Sequence, residues 1–338
     1  MSVAPQRDLH QRSTVAIRQG AAAVDDLAPQ LHDLYDATTD IGVTGTWPWI
    51  SASVPDRDVH TRPWLVTVQR NTVVAAAVLV DDVSGAVRRT TLAGTAEHHR
   101  GFLAATDPEA ARALGAALAD ALLDEVREFT LGPVRPGPAV DALLDRLALT
   151  PTVDDVEIPA VRLTGDPASA MSAGTRRTLR KSANRLTADG VEARTDVVGT
   201  AGEILAMLPL LESISRDRDH ASGRSSPLDV ASGRRVWQRR VRALASRGLL
   251  RLATLWLDDD LAAYVLGVDD GDTYRVLEGR FVSSWARYSP GRLLEAAVLD
   301  AAASRPACLT FDWMTDIAPE SLLAANDAQR LVVVRGRT

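Results

Sequence analysis

Two well-separated stretches of the sequence carry the same succession of signals: hairpin, strand, capped helix, strand. In the first, residues 64–68 (WLVTV) and 73–80 (VVAAAVLV) are apolar runs rich in β-branched residues on either side of Gln69-Arg70-Asn71-Thr72. In the second, residues 249–257 and 261–268 flank Asp258-Asp259-Asp260 in the same way. Both patterns predict β-hairpins. A further strand is expected after each, over 88–93 and 273–282. A helix start follows: Asp107-Pro108-Glu109 in the first stretch and Ser289-Pro290-Gly291-Arg292 in the second, each with proline at the first helical position. Leu114, Leu118, Leu122 and Val126 recur every fourth residue and form one stripe of the first helix, while Leu293, Leu294, Ala297, Val298 and Ala301 form the apolar face of the second. A short strand closes each stretch, at 128–131 and 308–311. From the proline to the threonine of that strand is 22 residues in one case (108 to 130) and 20 in the other (290 to 310). The chain reads as a duplicated α/β unit.

At 338 residues the length fits about two domains. The division is expected between 1–160 and 161–338, after a helical stretch at 140–149 and within a strand at 156–163, with Gly165-Asp166-Pro167 as a loop beyond it. Residues 216–227 (RDRDHASGRSSP) are the most polar, Gly/Ser-rich part of the second half and predict a mobile surface loop.

Composition narrows the function classes. Cys308 is the single cysteine, which excludes an intrachain disulfide and any cysteine-rich metal or iron–sulfur site. With 46% hydrophobic and 24% charged residues the chain reads as an ordinary globular protein, and a net charge of −6 gives no global field towards nucleic acid or anionic lipid. The N-terminal residues lack the apolar centre of a secretory signal, so a cytoplasmic protein is expected. Against this acidic background one segment stands out. Between Met171 and Gly190 five basic residues (Arg176, Arg177, Arg180, Lys181, Arg185) face one acid, Asp189. On a helix Leu179, Ala183 and Leu186 would share the buried face and the cations the others, a pattern suited to the phosphates of a cofactor, a tRNA or another polyanion.

The two helix starts differ in charge. Unpaired N–H groups at a helix N-terminus suit an anion. In the first copy Asp107 and Glu109 already occupy that position, whereas Ser289-Pro290-Gly291-Arg292 offers no acid and a cation in the first turn. The second half is therefore nominated as the ligand-binding copy. Asp312, at the carboxyl end of its strand, would face the crevice where α/β sheets bind ligands, and Gly132 stands at the equivalent place in the first copy. Tyr288, before the helix, and Glu278, on the strand leading to it, complete the candidates; Cys308 reads as a small core residue.

The order of a strand near 156–163, the basic helix TRRTLRKSANRL, DGVEA, a hairpin containing LAAYVLG, then WARYSPGRLLEAAVLDAA and LTFDW resembles the GNAT-superfamily acyltransferases of the CelD/BcsL type. It is also similar to Fem-type peptidoglycan aminoacyltransferases, built from two GNAT-like units. The resemblance implies two tandem GNAT-like units of mixed α/β class (α+β mixed sheets), each a mostly antiparallel sheet flanked by helices, the first with a degenerate donor site. It implies an acyl-CoA-type donor, an amine acceptor (a small molecule, sugar or peptide), no metal, and a monomer or homodimer. The alternative donor is an aminoacyl-tRNA held through residues 176–185, in peptidoglycan or natural-product biosynthesis. A third reading is a non-catalytic interaction protein of the same fold. On the leading reading Ser289, Gly291, Arg292 and Leu293, with Arg176, Arg177 and Arg180, hold the donor. Asp312 or Glu278 takes the proton and Tyr288 protonates the leaving group. One departure stands out: the family's glycine and Tyr-Lys pair after Phe-Asp is replaced here by 313–320 (WMTDIAPE), without the lysine.

Overall fold

Alternating apolar runs joined by short polar turns form the expected hairpins. The computed structural model describes residues 13–38, 42–55, 60–95, 99–147, 151–164, 166–314 and 322–338. In the first half β2 (Thr61–Gln69) and β3 (Val73–Asp82) pair antiparallel, β4 (Arg88–Leu92) joins them, and α4 (Pro108–Leu123) crosses over to β6 (Arg127–Val134), which runs parallel to β4. The second half repeats the plan. There β9 (Leu250–Leu257), β10 (Asp260–Asp270) and β11 (Thr273–Phe281) are antiparallel, and α9 (Pro290–Ala303) crosses over to β12 (Thr310–Asp312), parallel to β11. β1 (Thr14–Gln19) and β8 (Ala193–Val198) form the two edges, and β5 (Ala104–Ala105) is a short addition to β3.

Two strands cross between the halves. β7 (Thr152–Arg162) follows α5 (Pro138–Arg146) of the first half, yet it pairs with β12 of the second. β13 (Asp327–Arg337), at the end of the second half, pairs with β6 of the first. The two are antiparallel to each other over nine residue pairs, from Asp327↔Ala160 to Arg335↔Thr152. The outcome is one sheet in the order β1-β2-β3-β4-β6-β13-β7-β12-β11-β10-β9-β8. A division at 160/161 falls inside β7, where Ala160 pairs with both Asp312 and Asp327.

Helices cover both faces. On one face α4 and α5 pack on the first half, while α6 (Ala173–Asp189) and α9 pack on the second. On the other face the halves share a core. It joins α1 (Ala21–Asp26), α2 (Ala28–Ala37) and α3 (Trp47–Ser53) to α7 (Ala201–Ala221) and α8 (Ala231–Ser246), through residues such as Leu31, Trp49, Leu211, Trp237 and Tyr264. Arg240 of α8 ties this face together: its Nε donates to Ser53 Oγ at 2.7 Å and its guanidinium lies 4.6 Å from the Trp49 ring centroid.

Several details depart from the sequence reading. α4 ends at Leu123, so Leu114, Leu118 and Leu122 are fully buried while Val126, beyond the helix, is 71% exposed. The buried stripe of α9 is Leu294, Val298, Leu299 and Ala302; Ala301 points outward. α6 buries Ser182 and Leu186 rather than Ala183. The polar stretch 216–227 is not a free loop. α7 continues to Ala221, and Asp229 gathers Arg216 (3.0 Å), His220 (2.8 Å) and the Ser226 N–H (3.1 Å), contacts that push its carboxyl down to about 2. Residues 148 and 149 of the expected helix, and Gly165, lie outside the described residues.

Since β13 buries Leu331, Val332, Val333 and Val334, removing it exposes four apolar side chains at about 1.5–3 kcal/mol each, comparable to the whole stability of a domain. Two fragments made by cutting after Thr164 each lack one strand of the central pair. Expressed separately, each is expected to aggregate; expressed together, they should co-purify as a one-to-one complex with native circular dichroism.

Candidate active site

β11 and β12 run parallel for three residue pairs, Thr273↔Thr310, Tyr274↔Phe311 and Arg275↔Asp312, and then part. From Val276 onward β11 is paired with β10 alone among the described residues. Its register against β10 slips there: Gly267 faces Val276 and Leu266 faces Glu278, so Leu277 has no opposite number. Such a bulge bends the strand and frees backbone groups from the ladder. The crevice therefore opens at the carboxyl ends of two parallel strands, the position where sheets of this kind bind ligands.

The N-terminus of α9 lies at this crevice. Ser289 precedes it in the left-handed region (φ 53°, ψ 50°) and its side chain makes no capping hydrogen bond. The first-half counterpart is self-satisfied: Asp107 accepts from Ala110 N at 2.8 Å and from Arg70 at 2.9 Å, and these contacts, the Ala110 N–H foremost, pull its carboxyl below the usual range. One helix start is filled by its own carboxylate and the other is open. Gly291 serves packing, because a Cβ there would stand 3.3 Å from the Phe281 ring of β11. Leu293 is half-buried against the α6–α9 core.

One turn further along α9, Glu295 faces β11: its Oε1 is 4.0 Å from where a Cβ would stand on the exposed Gly279. Burial raises this carboxyl to about 7, with Arg292 pulling weakly the other way. Sequence reasoning passed over Glu295 as a polar residue in an amphipathic helix. The available signal was Gly279, a glycine inside a strand, which marks a place where something approaches closely.

The three residues expected to share proton chemistry are held apart. Asp312 projects to the joint face, where Arg100 Nη2 donates to it at 2.7–2.8 Å, Arg275 Nη1 bonds Oδ2, and the Met314 N–H bonds Oδ1 at 2.8 Å. It is 3% exposed and works as a shared counter-ion, not as a base open to substrate. Tyr288 belongs to the core between α6 and α9, and its hydroxyl donates to Asp189 at 2.9 Å, away from Asp312. Glu278 is on the joint face, and both its oxygens accept. Tyr264 OH (2.5 Å) and Ser215 Oγ (3.1 Å) meet Oε1, and Trp237 Nε1 (2.8 Å) meets Oε2. Burial and the Glu278 charge raise the Tyr264 hydroxyl well above its ordinary value, so it stays a donor. Glu278 lines a cavity of about 20 Å³ with Trp49, His99, Trp237 and Arg240, room for about one water. Trp237 and Arg240 also border a groove of about 490 Å³ on this face, whose far wall is formed by 91–95 and Val333.

The basic helix divides in two. Arg176 donates to Ala168 O (3.0 Å) and Met171 O (2.5 Å), closing the turn before α6, and so is structural. Arg177, Arg180 and Lys181 are exposed, and Arg185 bonds the Arg287 carbonyl. Among the described residues no group of three His, Cys, Asp or Glu could hold a metal ion, and no helix is long and apolar enough to cross a membrane. The segment 315–321, where the family's Tyr-Lys pair is replaced, lies outside the described residues.

No curated protein matches this sequence. Among solved structures the chain resembles FemX, at 9% identity over 95% of this chain and 97% of that one, with a TM-score of 0.54. It resembles a tandem GNAT protein from the clavulanic acid biosynthesis pathway at 16% identity over 96% and 98% (TM-score 0.52). A third similar structure is the C-terminal domain of a putative lysylphosphatidylglycerol synthetase from Agrobacterium fabrum, at 10% identity over 92% of each chain (TM-score 0.51). At such identities the likeness is one of fold. The sequence itself matches the acetyltransferase (GNAT) domain family over residues 173–320. That match begins at α6 and runs past β12, so the part of the chain that resembles a GNAT acetyltransferase domain encloses the whole crevice.

Proposed function

We propose that the second half transfers an acyl group from an acyl-CoA-type thioester to an amine by direct attack. The observation that carries this reading is the open crevice of β11 and β12 beside a helix start with no carboxylate of its own. The diphosphate of the donor would sit on the N–H groups of Gly291 and Arg292, and the thioester would lie along the unpaired edge of β11 from Val276 to Phe281. Backbone N–H groups there would stabilise the oxyanion of the tetrahedral intermediate. The acceptor would enter from the joint face, through the groove bordered by Trp237 and Arg240. Glu295 takes the proton that the amine loses and returns it to the departing thiolate, so the proton count closes on one group. Its carboxyl near 7 is matched to a base working at neutral pH. Glu278 is assigned to shaping the acceptor side. The work is placed in the cytoplasm, where such donors are made.

A second donor has one observation in its favour: Arg177, Arg180 and Lys181 stand exposed on successive turns of α6. An aminoacyl-tRNA, as in a Fem-like transferase, would place its backbone there. Binding of tRNA that falls steeply with salt and drops on neutralising Arg177 and Arg180 would select this donor over CoA.

Three outcomes test the first reading. Thioesters of CoA should raise the melting temperature of the protein, and Ser289→Asp, which recreates the first-half arrangement, should raise KM for the donor by roughly tenfold with kcat little changed. Glu295→Gln should lower kcat by about 100-fold and remove a rise in rate through pH 7, while Glu278→Gln keeps that rise. The same substitution has a stability signature. Because the folded carboxyl is raised above its unfolded value of 4.5, the native state holds the proton more tightly, and stability is lost as pH rises from about 4.5 through about 7. Glu295→Gln should therefore match the parent at pH 4 and exceed it by on the order of 2 kcal/mol at pH 8, measured by urea unfolding.

A further inference from the structure

The groove of about 490 Å³ lies between the halves and has the size of a small-molecule site, roughly 300–1,000 Å³. Its floor is the joint face of the first-half sheet, with Val80, Ala93 and Gly132, continued by Val333 of β13. Its roof comes from the second half: Pro227 and Leu228 of the turn at 227–229, then Val236 and Trp237 of α8. That roof is pinned. Ser226 and Asp229 form a capping box across the turn, and Arg234 donates to the Leu228 carbonyl at 2.9 Å. A Cβ on Gly233 would stand only 2.0 Å from the Pro227 carbonyl oxygen, so α8 and the turn are in close contact.

Most polar groups along the groove are already engaged. Ser53 Oγ accepts from Arg240 and donates to the Trp49 carbonyl, both at 2.7 Å. Arg335 is paired with Asp154, the Thr95 hydroxyl donates to the Leu92 carbonyl at 2.8 Å, and the Trp237 N–H is given to Glu278. The Gly94 and Pro133 carbonyls accept from Trp49 Nε1 (3.1 Å) and the Gly101 N–H (2.7 Å). Among the described lining side chains, only the hydroxyls of Thr91 and Thr130 make no hydrogen bond. The rest of the wall is apolar. A sugar entering here would strip water from a hydroxyl on nearly every carbon and find few partners. An aryl or alkyl group gives up no hydrogen bond and gains burial.

We propose that the groove binds the apolar body of an amine, an aryl- or alkyl-substituted acceptor rather than a sugar. Trp237 borders it and donates at 2.8 Å to Glu278, on the stretch of β11 that parts from β12. The amino end of the occupant is directed past Trp237, toward the strand edge assigned above to the thioester. Calling the occupant an acceptor rests on the acyl-transfer reading; its apolar character rests on the groove alone.

The full-length protein is titrated with tryptamine and, separately, with glucosamine, amines of similar size, against ammonium chloride at equal ionic strength, and the melting temperature is followed by calorimetry. Tryptamine should raise it saturably, and glucosamine no more than ammonium does. Val236→Trp, from the half-buried side of α8, and Thr91→Trp, from the exposed end of the floor, each fill the groove and should weaken the tryptamine response by roughly tenfold. Ser289→Asp, at the start of α9, should leave it intact. A tryptamine response no larger than that to ammonium overturns the proposal. So does one that survives both Val236→Trp and Thr91→Trp, or a glucosamine response as strong as that to tryptamine. Both amines are then supplied with acetyl-CoA. Faster acylation of tryptamine supports groove and reading together, and faster acylation of glucosamine overturns the proposal. Tryptamine binding that passes these tests while neither amine is acylated counts against the acyl-transfer reading and leaves the groove with its apolar ligand.

Discussion

The antiparallel pairing of β7 with β13 holds the rest of the structure in place. Each strand is supplied by one half of the sequence and completes the sheet of the other, so neither half closes its own ladder. Backbone donors and acceptors in the middle of a sheet must be paired, and here the partner always comes from the far half. That requirement turns two similar units into one continuous sheet. It also sets the halves in fixed relation, so that α3 of the first can pack on α8 of the second and their apolar faces merge into one core.

A fused core changes what duplication makes available. The face of the second half opposite α9 is walled by Trp49, His99 and Arg100, all from the first half. The first half, whose own helix start is filled by Asp107, supplies walls to the cavities beside Glu278 and Arg275 of the second. Gly132 fits the same picture. It stands where the second half carries Asp312, at φ 124°, and a Cβ there would lie 2.6 Å from the Val332 carbonyl of β13. The first half uses that position for close strand packing; the second uses it for a carboxylate that organises arginines.

Much of this was legible in the chain. Hairpins, crossover helices and the contrast between Asp107 and Ser289 are local patterns, encoded within a few residues of where they act, and they appear where the sequence places them. What was not legible is what joins distant positions. Nothing near Asp312 announces Arg100, 212 residues away, so a carboxylate at a strand end reads as a base when it is a counter-ion. Tyr288 reads as an acid over the crevice until α6 brings Asp189 to its hydroxyl. Glu295 has no sequence neighbour that marks it out, and only Gly279, distant in the chain, lets the helix settle against β11 around it. The strand exchange has no local signature, since β7 and β13 look like any strand that would pair with its sequence neighbour.

Net charge is silent on such arrangements in the same way, and the reason lies in side-chain chemistry. The chain has 38 basic residues, of which Lys181 alone is lysine. A lysine ammonium is strongly hydrated and resists burial; a guanidinium is planar, weakly hydrated and can serve several acceptors at once. An arginine-rich chain can therefore be acidic overall and still carry its cations inside. Arg127 and Arg240 are nearly buried, and Arg100 and Arg275 are largely so. Exposed acids contribute to the −6, while buried arginines of the joint face are held by carboxylates such as Asp312. A total taken over the sequence weighs these equally, but the field felt by a ligand in a confined cavity is set by the few charges that share its low-dielectric surroundings. At Asp312 the local arrangement, not the global sum, sets what the carboxylate does: Arg100 and Arg275 make it a counter-ion.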